Sequence, residues 1–483
     1  NGSSDIFLVK YDPVGNVLWA KNYGGTKSEG AYGISCDSVG NIFLAGYYYS
    51  NTAVFDTVTV SRGPSGNGSA IFTARFNTNG SAIWVRSVGS GNGSGGFANA
   101  VAVSKTGNIY VTGTFITPNA NFGSVTVSNS AVGVPDVFIV KYDPNGNALW
   151  ARCSAAAPSS SGNYGYGIGV DNSDNVYVTG AFYSASIKFG STSYPNTGST
   201  NSMFNVKYDA NGNLSWAQAP GGNTVGKFVI TDNSGTPYFL ATGGAAYLIF
   251  GTDTVHNANP TMSYCIFLTK CDPSGNAIWG NSFGGRNSSS YAFGTGIACS
   301  TNKIYLAGAF YNSTIVGSDT LAGMGGNDIL YAELDTAGNV LSSSAFGGIG
   351  ADRGASVSSN GGVTVISGSF DTPSLQINST TLSALNDSLT VFAARICSGG
   401  IGVSETALES NQVLIWPNPN SGQFSLRSEN MIDEVSIYNP VGQLVQKFNP
   451  HSNECIVNIG LRGIYFLSIK SGDRYQTGKV IVE

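Results

Sequence analysis

Charge is what this chain has least of: 23 Lys and Arg and 28 Asp and Glu make up 11% of 483 residues, under half the ~25% of an ordinary soluble domain. That scarcity excludes charged coiled coils and solvated disordered tails. The formal net charge is −5 and no basic run occurs, so there is no electrostatic footprint for nucleic acid or an anionic membrane. Histidine is scarcer still. Only His256 and His451 are present, in no HExxH or repeated spacing, and imidazole metal sites or triads have almost nothing to build on. No stretch approaches the ~18 consecutive apolar residues of an integral membrane segment. The seven cysteines are scattered without a CxxC pair, so no disulfide framework, zinc site or cofactor is implied. Cys265 and Cys271, the closest two, would lie about 20 Å apart on one strand.

Glycine is abundant instead, with 65 residues, about twice the usual share. Fixed-period self-similarity is the first thing to test in such a chain, and tryptophan supplies it. Trp19, Trp84, Trp150, Trp216 and Trp279 stand 65, 66, 66 and 63 residues apart, and only Trp416 lies outside the series. Around them recur DIFLVKYDPVGNVLW from Asp5, AIFTARFNTNGSAIW from Ala70, DVFIVKYDPNGNALW from Asp136, SMFNVKYDANGNLSW from Ser202 and CIFLTKCDPSGNAIW from Cys265. A sixth copy, from Asp328, places Ser342 where tryptophan is expected. A second block begins GISCDSVGNIFLAG at Gly33 and recurs as AVAVSKTGNIYVTG, GIGVDNSDNVYVTG, GIACSTNKIYLAG and SVSSNGGVTVISG. In both blocks β-branched and aromatic residues alternate on either side of a D-x-x-G-N turn, whose Asp caps the turn backbone and whose Gly supplies the positive φ of a tight hairpin. Four short strands repeated every ~65 residues predict an all-β propeller.

With the first hairpin labelled A and B and the tryptophan hairpin C and D, the chain opens on an isolated C and D. It runs through five complete units and ends its repeats on A, B and C; the last C strand, SLTVFAARI from Ser388, has no D after it. A strand borrowed from the N-terminus would complete that blade. The expectation is therefore a seven-bladed ring, six being the alternative, truncated at its N-terminus with roughly 40 to 50 residues upstream of Asn1.

The repeats resemble the bacterial propeller repeats called SBBP, on the D-x-F-x-x-K-Y-D-x-x-G-N-x-x-W and G-N-x-Y-x-x-G blocks over about residues 5–397. This resemblance implies the fold and is close to silent on activity. The domain expected is a propeller over 1–397. Residues 398–412 read as a linker, and the period stops beyond it. In 413–483 the runs VLIW, QFSLRS, EVSIYN, QLVQKF, CIVNI, GIYFLSIK and KVIVE predict about seven short strands of a small antiparallel β-sandwich.

That segment resembles the type A C-terminal sorting domain carried by cargo of the type IX secretion system of Bacteroidota. The match rests on WPNPNSGQF (416–424), VSIYNPVGQLV (435–445), LRGIYFLSIK (461–470) and the terminal KVIVE (479–483). The resemblance implies that Pro417, Asn418, Pro419, Gly422, Tyr438, Gly442, Gly463, Tyr465 and Lys479 form the sorting signal. It further implies export across the outer membrane, the translocon, its shuttle and a sortase as partners, and a cargo that ends secreted or at the cell surface.

Other motifs carry less. Residues 280–284 fit G-x-S-x-G in letters but fall at the end of a D strand, where no strand-turn-helix elbow can form. The glycine clusters at 89–96 and 165–169 lack the helix of a dinucleotide fingerprint. Residues 171–175 resemble half a calcium loop without its glycine and distal glutamate, and a hairpin turn accounts for them better. Lys10, Arg75, Lys141, Lys207, Lys270 and Arg395 recur at the end of strand C, with Glu333 breaking the series. A ring for an anion is one reading, but the turn Asp two residues on offers local pairing, which favours a structural role.

Tight A-to-B and C-to-D turns must share one face of the disc and the longer B-to-C and D-to-A links the other, and function concentrates on loops held by a rigid scaffold. On that second face the aromatics after strand B, Tyr48, Phe115, Phe182, Tyr183, Phe310 and Tyr311, are the candidate binding residues, with Tyr164, Tyr166, Tyr291 and Phe293 near the D-to-A loops. Tyr and Phe amid Gly, Ser and Asn suit sugar stacking or protein contact; their regular recurrence equally suits packing between blades. The leading expectation is a non-enzymatic, exported propeller that binds a glycan or protein ligand. The alternatives are a secreted polysaccharide hydrolase or lyase using loop-face acids such as Glu29, Asp319 and Asp352, which would have to converge, and a structural surface or motility component.

Overall fold

The computed structural model describes residues 2–13, 15–63, 68–89, 95–157, 161–257, 264–285, 289–378, 380–384, 389–396, 413–416, 420–439, 443–472 and 474–482. The chain divides into two compact units, Asn1–Ser398 and Gly399–Glu483.

In the first unit every A-to-D set forms one antiparallel sheet in chain order. Blade 1 holds only C and D, Ile6–Tyr11 and Val17–Tyr23. Blade 2 comprises Glu29–Cys36, Ile42–Tyr48, Ala70–Phe76 and Ala82–Val88; blade 3 comprises Gly96–Val103, Ile109–Phe115, Asp136–Tyr142 and Ala148–Cys153. Blade 4 comprises Asn163–Val170, Val176–Phe182, Ser202–Tyr208 and Leu214–Gly222; blade 5 comprises Thr224–Thr231, Pro237–Gly243, Cys265–Cys271 and Ala277–Phe283. Blade 6 comprises Tyr291–Cys299, Lys303–Val316, Asp319–Asp335 and Val340–Phe346, and blade 7 has, among the described residues, A, B and C: Arg353–Asn360, Val363–Phe370 and Thr390–Ile396. A cavity of about 540 Å³ lies between blade 7 and blade 1, lined by Asp12, Pro13 and Gly15 on one side and Val365, Ala393 and Arg395 on the other. The disc thus has seven blade positions, five of them complete among the described residues.

The turns behave as their letters dictate. In the C-to-D turn of blade 3, Asp143 Oδ1 accepts from the backbone N–H of Asn145 (2.9 Å) and Asn147 (2.8 Å), Oδ2 accepts from Asn147 Nδ2 (2.9 Å), and Gly146 takes φ +79°. Hydrogen bonds from the Asn213 side chain and backbone hold the equivalent Asp209 carboxyl below its usual range. Residues 171–175 form the same turn, with Asn175 N and Nδ2 both donating to Asp171 at 2.9 Å.

One feature was not expected. The B-to-C links carry a further hairpin in the complete blades and in blade 7, for example Thr52–Phe55 with Val58–Ser61, while in blade 6 strands B and C themselves run on through Val316 and from Asp319. Each turns on a left-handed residue: Asp56, Gly123, Gly190, Gly251, Gly317 and Asn378, at φ 54–70°. Strands of four residues inside Gly- and Ser-rich text leave little periodicity to read. Their alternate residues, such as Ala53 and Phe55, are fully buried and join the blade core.

Apolar cores lie between successive sheets: Phe43, Ile71 and Trp84 of blade 2 pack with Val111, Phe138 and Val140 of blade 3. The periodic tryptophans latch these sheets together. Trp19, Trp84, Trp150, Trp216 and Trp279 each donate Nε1 to a carbonyl in the next blade's C-to-D turn, those of Thr78, Pro144, Ala210, Pro273 and Thr336, at 2.9–3.3 Å. The recurring basic residue uses the same carbonyl: Lys10, Arg75, Lys141, Lys207 and Lys270 donate to it at 2.8–3.2 Å. From Lys10 to Lys270 the basic series is a set of inter-blade clamps: the role is structural, but the partner is the next blade's turn carbonyl rather than the turn Asp two residues on. Blade 6 carries Glu333 and Ser342 instead, and among the described residues blade 7 has no C-to-D turn to receive a latch. Glu333 accepts within its own blade, from Lys303 Nζ at 2.6 Å and Tyr331 Oη at 2.9 Å.

The second unit contains all seven strands read from its sequence, in a three-stranded sheet (Leu414–Trp416, Gln423–Ile432, Ser452–Asn458) and a four-stranded one (Leu444–Phe448, Glu434–Tyr438, Gly463–Ser471, Arg474–Val482). Phe424, Leu426, Ile437, Leu467 and Val480 share the core between them.

Candidate functional site

The innermost strand of each blade from 2 to 7 contains a β-bulge at the same place. The extra residues are Tyr32, Asn99, Tyr166, Lys227, Thr295 and Ala355. A bulge re-aims the side chain it carries, and here the first five line two adjoining cavities around the disc centre. The glycine closing the G-N-x-Y-x-x-G block is what makes room for the bulge. A Cβ on Gly46, Gly113, Gly180, Gly308 or Gly368 would sit 2.0–2.7 Å from a carbonyl oxygen of strand A. The residue after the bulge is glycine in blades 2, 4 and 6, and a Cβ on Gly33, Gly167 or Gly296 would meet backbone of the next inner strand at 2.7–2.8 Å. Adjacent inner strands therefore come into backbone contact.

The first cavity, about 400 Å³, is lined by Tyr32, Phe97, Asn99, Thr114, Tyr164, Tyr166, Lys227 and Phe228. The second, about 820 Å³, adds Val225, Thr242, Tyr264, Tyr291, Phe293 and Thr295 and shares Lys227 and Phe228 with the first. Their rings are organised in ladders. Tyr164 and Tyr166 stack at 6.1 Å and 8°, and Tyr164 meets Tyr183 edge-on at 5.7 Å. Tyr291 stacks on Tyr311 at 5.4 Å and on Phe293 at 6.2 Å, and Tyr47 joins Tyr32 and Phe97 at 5.3 and 5.0 Å. Burial, then the neighbouring Tyr183 and Tyr164, push the Tyr166 phenol up. Lys227 Nζ lies 4.9 Å over the Tyr166 ring, and burial lowers its amine below the usual lysine range.

Four of the six residues expected to bind sit elsewhere. Tyr48, Phe115, Phe182 and Phe310 are fully buried and pack in the blade cores, so they have no surface to offer a ligand. Strand B ends with their side chains turned inward, and the following residue turns out. Hence Tyr183, 37% exposed, and the half-buried Tyr311 reach the funnel rim through Tyr164 and Tyr291. Sequence reading missed Tyr32, Asn99, Lys227 and Phe97. For the first three the available signal was the position just before the Gly33-type block, which becomes meaningful only once the bulge is known.

The three acidic candidates do not converge. Glu29 is buried, accepting from Gly25 N at 2.8 Å and Ser50 Oγ at 2.7 Å. Asp352, also buried, accepts from Gly348 N at 2.7 Å, and Asp319 accepts from Ser343 Oγ on the outer hairpin of blade 6 at 2.8 Å. All three pin loops, and no Asp or Glu lines either cavity among the described residues. The 280–284 segment continues the extended strand Ala277–Phe283.

In the second unit the sorting motifs meet in space. Asn420 N donates to Ile481 O at 3.0 Å, Gly422 has φ +104°, and Gly463 pairs with Val482. Tyr465 is buried and donates to Leu461 O at 2.9 Å. Tyr438 and Lys479 both lie opposite Phe466, on either side of the strand that carries it. Pro417, Asn418, Pro419 and Gly442 lie outside the described residues.

Blades and terminal sandwich together define an exported repeat β-propeller. Residues 414–483 match the family described as secretion system C-terminal sorting domain, which directs export through the type IX system to the cell surface or extracellular space. The chain is also similar to an uncharacterised WD repeat-containing protein of Acanthamoeba polyphaga mimivirus, 29% identical over 330 residues, which cover 55% of this chain and 22% of that protein; the chain thus spans under a quarter of that relative's length. Among solved structures, the WD40 domain of Neurospora crassa Pan2 aligns at TM-score 0.36 and 10% identity, covering 82% of this chain and 86% of that one. A protein of unknown function from Bacteroides caccae aligns at 0.35 and 12%, covering 71% and 94%.

Proposed function

We propose that the protein is a non-catalytic binding propeller, displayed or released outside the cell, whose central funnel takes a carbohydrate chain. One observation carries this reading: bulged inner strands aim Tyr32, Tyr166 and their aromatic neighbours into adjoining cavities of about 400 and 820 Å³, within the ~300–1,000 Å³ range of ligand sites. Aromatic faces stack on the apolar faces of sugars, while Asn99, Thr242 and Thr295 supply hydrogen-bonding groups at the wall. The ladders hold the rings in fixed orientations, so little side-chain entropy remains to be lost on binding. A glycan array followed by calorimetric titration tests the proposal. Saccharide binding that falls at least ~10-fold in Tyr166→Ala, as loss of a stacking residue of ~1–3 kcal/mol implies, supports it; the absence of any saccharide ligand overturns it.

A further inference from the structure

The reading above rests on the aromatic walls; the one cation that lines either cavity among the described residues adds something they do not specify. At the bulge position blades 2, 3, 4, 6 and 7 carry Tyr32, Asn99, Tyr166, Thr295 and Ala355, all neutral, whereas blade 5 carries Lys227. Lys227 stands on the wall common to both cavities. Its ammonium faces the Tyr166 ring at 4.9 Å, and no carboxylate pairs with it among the described residues.

A half-buried ammonium without a counter-charge is costly, and the cost falls once an anion arrives. Lys10, Arg75, Lys141, Lys207 and Lys270 each donate to a turn carbonyl of the next blade; Lys227 takes no part in that architecture. A second polar group at the same site is unspent. Thr114, 1% exposed, lines the first cavity, and its hydroxyl makes no hydrogen bond within the protein. Such a buried hydroxyl carries a penalty of ~1–3 kcal/mol until something pairs with it.

We infer that the funnel selects an anionic oligosaccharide, whose singly charged acid group pairs with Lys227 while the sugar ring carrying it stacks on Tyr166. A single flexible ammonium, with no guanidinium lining either cavity among the described residues, suits one charge per sugar rather than a phosphate dianion. The long-range field is no help, since the chain carries a net −5. Selection is local, made at the cavity wall.

The test titrates the full chain with three oligosaccharides of equal length: an oligouronate, a sulfated oligomer and a neutral one. At least one anionic probe binds ~10-fold or more tightly than the neutral probe, weakens with added salt, loses that advantage in Lys227→Met and keeps most of it in Lys227→Arg. Which anionic probe wins identifies the acid as carboxylate or sulfate. Equal binding of neutral and anionic probes by the unaltered protein overturns the inference and leaves the carbohydrate reading standing. That comparison needs no variant and decides the matter even if Lys227→Met fails to fold. Binding of no probe at all, with the unaltered protein likewise silent on a glycan array, overturns both.

Discussion

The indole of Trp84 in blade 2 lies over Gly146 in the C-to-D turn of blade 3, and its Nε1 donates to the Pro144 carbonyl of the same turn at 3.0 Å. A Cβ on Gly146 would fall 2.8–3.0 Å from the indole atoms, and the residue holds φ +79°. Gly146→Ala therefore combines left-handed strain of ~1–2 kcal/mol with an overpacked latch of ~1–3 kcal/mol. Chemical denaturation should show a loss of about 2–5 kcal/mol. Gly123→Ala is the control, because Gly123 has φ +70° but nothing within 4 Å of its Cβ position; strain alone acts there, at about 1 kcal/mol.

The clamps are not equivalent. Lys141 donates to Ala210 O at 3.0 Å, lies 5.2 Å over Tyr110 and pairs with Asp174 at 3.4 Å, both charged groups being buried. Lys270 makes the same carbonyl and ring contacts, and no carboxylate pairs with it among the described residues. Lys141→Met leaves a buried Asp174 short of its counter-charge and should cost about 3 kcal/mol. Lys270→Met should cost only about 1–2 kcal/mol. Equal losses in denaturation would show that the Asp174 pair adds nothing.

These two results bear on what the sequence could reveal. The tryptophan period is legible because each indole answers a turn in the next blade, so spacing and contact repeat together. The block-ending glycine, as at Gly113, is equally visible, but its reason, a carbonyl of strand A 2.0 Å from its missing Cβ, lies across the sheet in a bulge that no spacing announces. Lys227 escaped for a second reason. Blade 5 reads Gly235-Thr236-Pro237-Tyr238 where blade 3 reads Gly107-Asn108-Ile109-Tyr110, so the recurring letters do not mark its first hairpin. Tyr48 and Phe182 misled because alternation marks which residues share a face, not which face is the buried one.

Blade 6 holds an acid under strain. Burial, opposed by a hydrogen bond from Met324 N and reinforced by nearby Asp352, raises the Asp328 carboxyl to about 6. Its unfolded value is ~3.9, so between about pH 4 and 6 the folded chain holds a proton that the unfolded chain has released. Stability is then highest below that window and falls as pH rises through it. In Asp328→Asn, which keeps an acceptor for Met324 N, this decline should be absent. The stability difference between the two proteins should widen by on the order of 2 kcal/mol from pH 4 to pH 7. Parallel denaturation curves at both pH values would refute the assignment.

The terminal sandwich makes its own prediction. Gly463 pairs with Val482 and Asn420 bridges to the same residue, so the last strand closes the junction where separate motifs meet. Deleting residues 474–483 removes that strand, and the propeller should then be retained inside the cell, as fractionation and surface proteolysis would show. Undiminished surface display of the shortened chain would mean that the sorting signal lies elsewhere.

Two neighbours in blade 4 separate packing from binding. Phe182 is fully buried among Ile187, Phe189 and Phe204, while Tyr183, one residue on, is 37% exposed and meets Tyr164 edge-on at 5.7 Å. Phe182→Ala empties a core site and should cost about 3–5 kcal/mol. The surviving folded fraction should nevertheless bind ligand normally, because Phe182 contributes no funnel surface. Tyr183→Ala leaves the core intact and should change stability by under ~1 kcal/mol. It frees the Tyr164 ring from one of its two supports, and saccharide affinity should drop several-fold. If instead Phe182→Ala weakens binding at full occupancy of the fold while Tyr183→Ala does not, the ligand site is not the funnel.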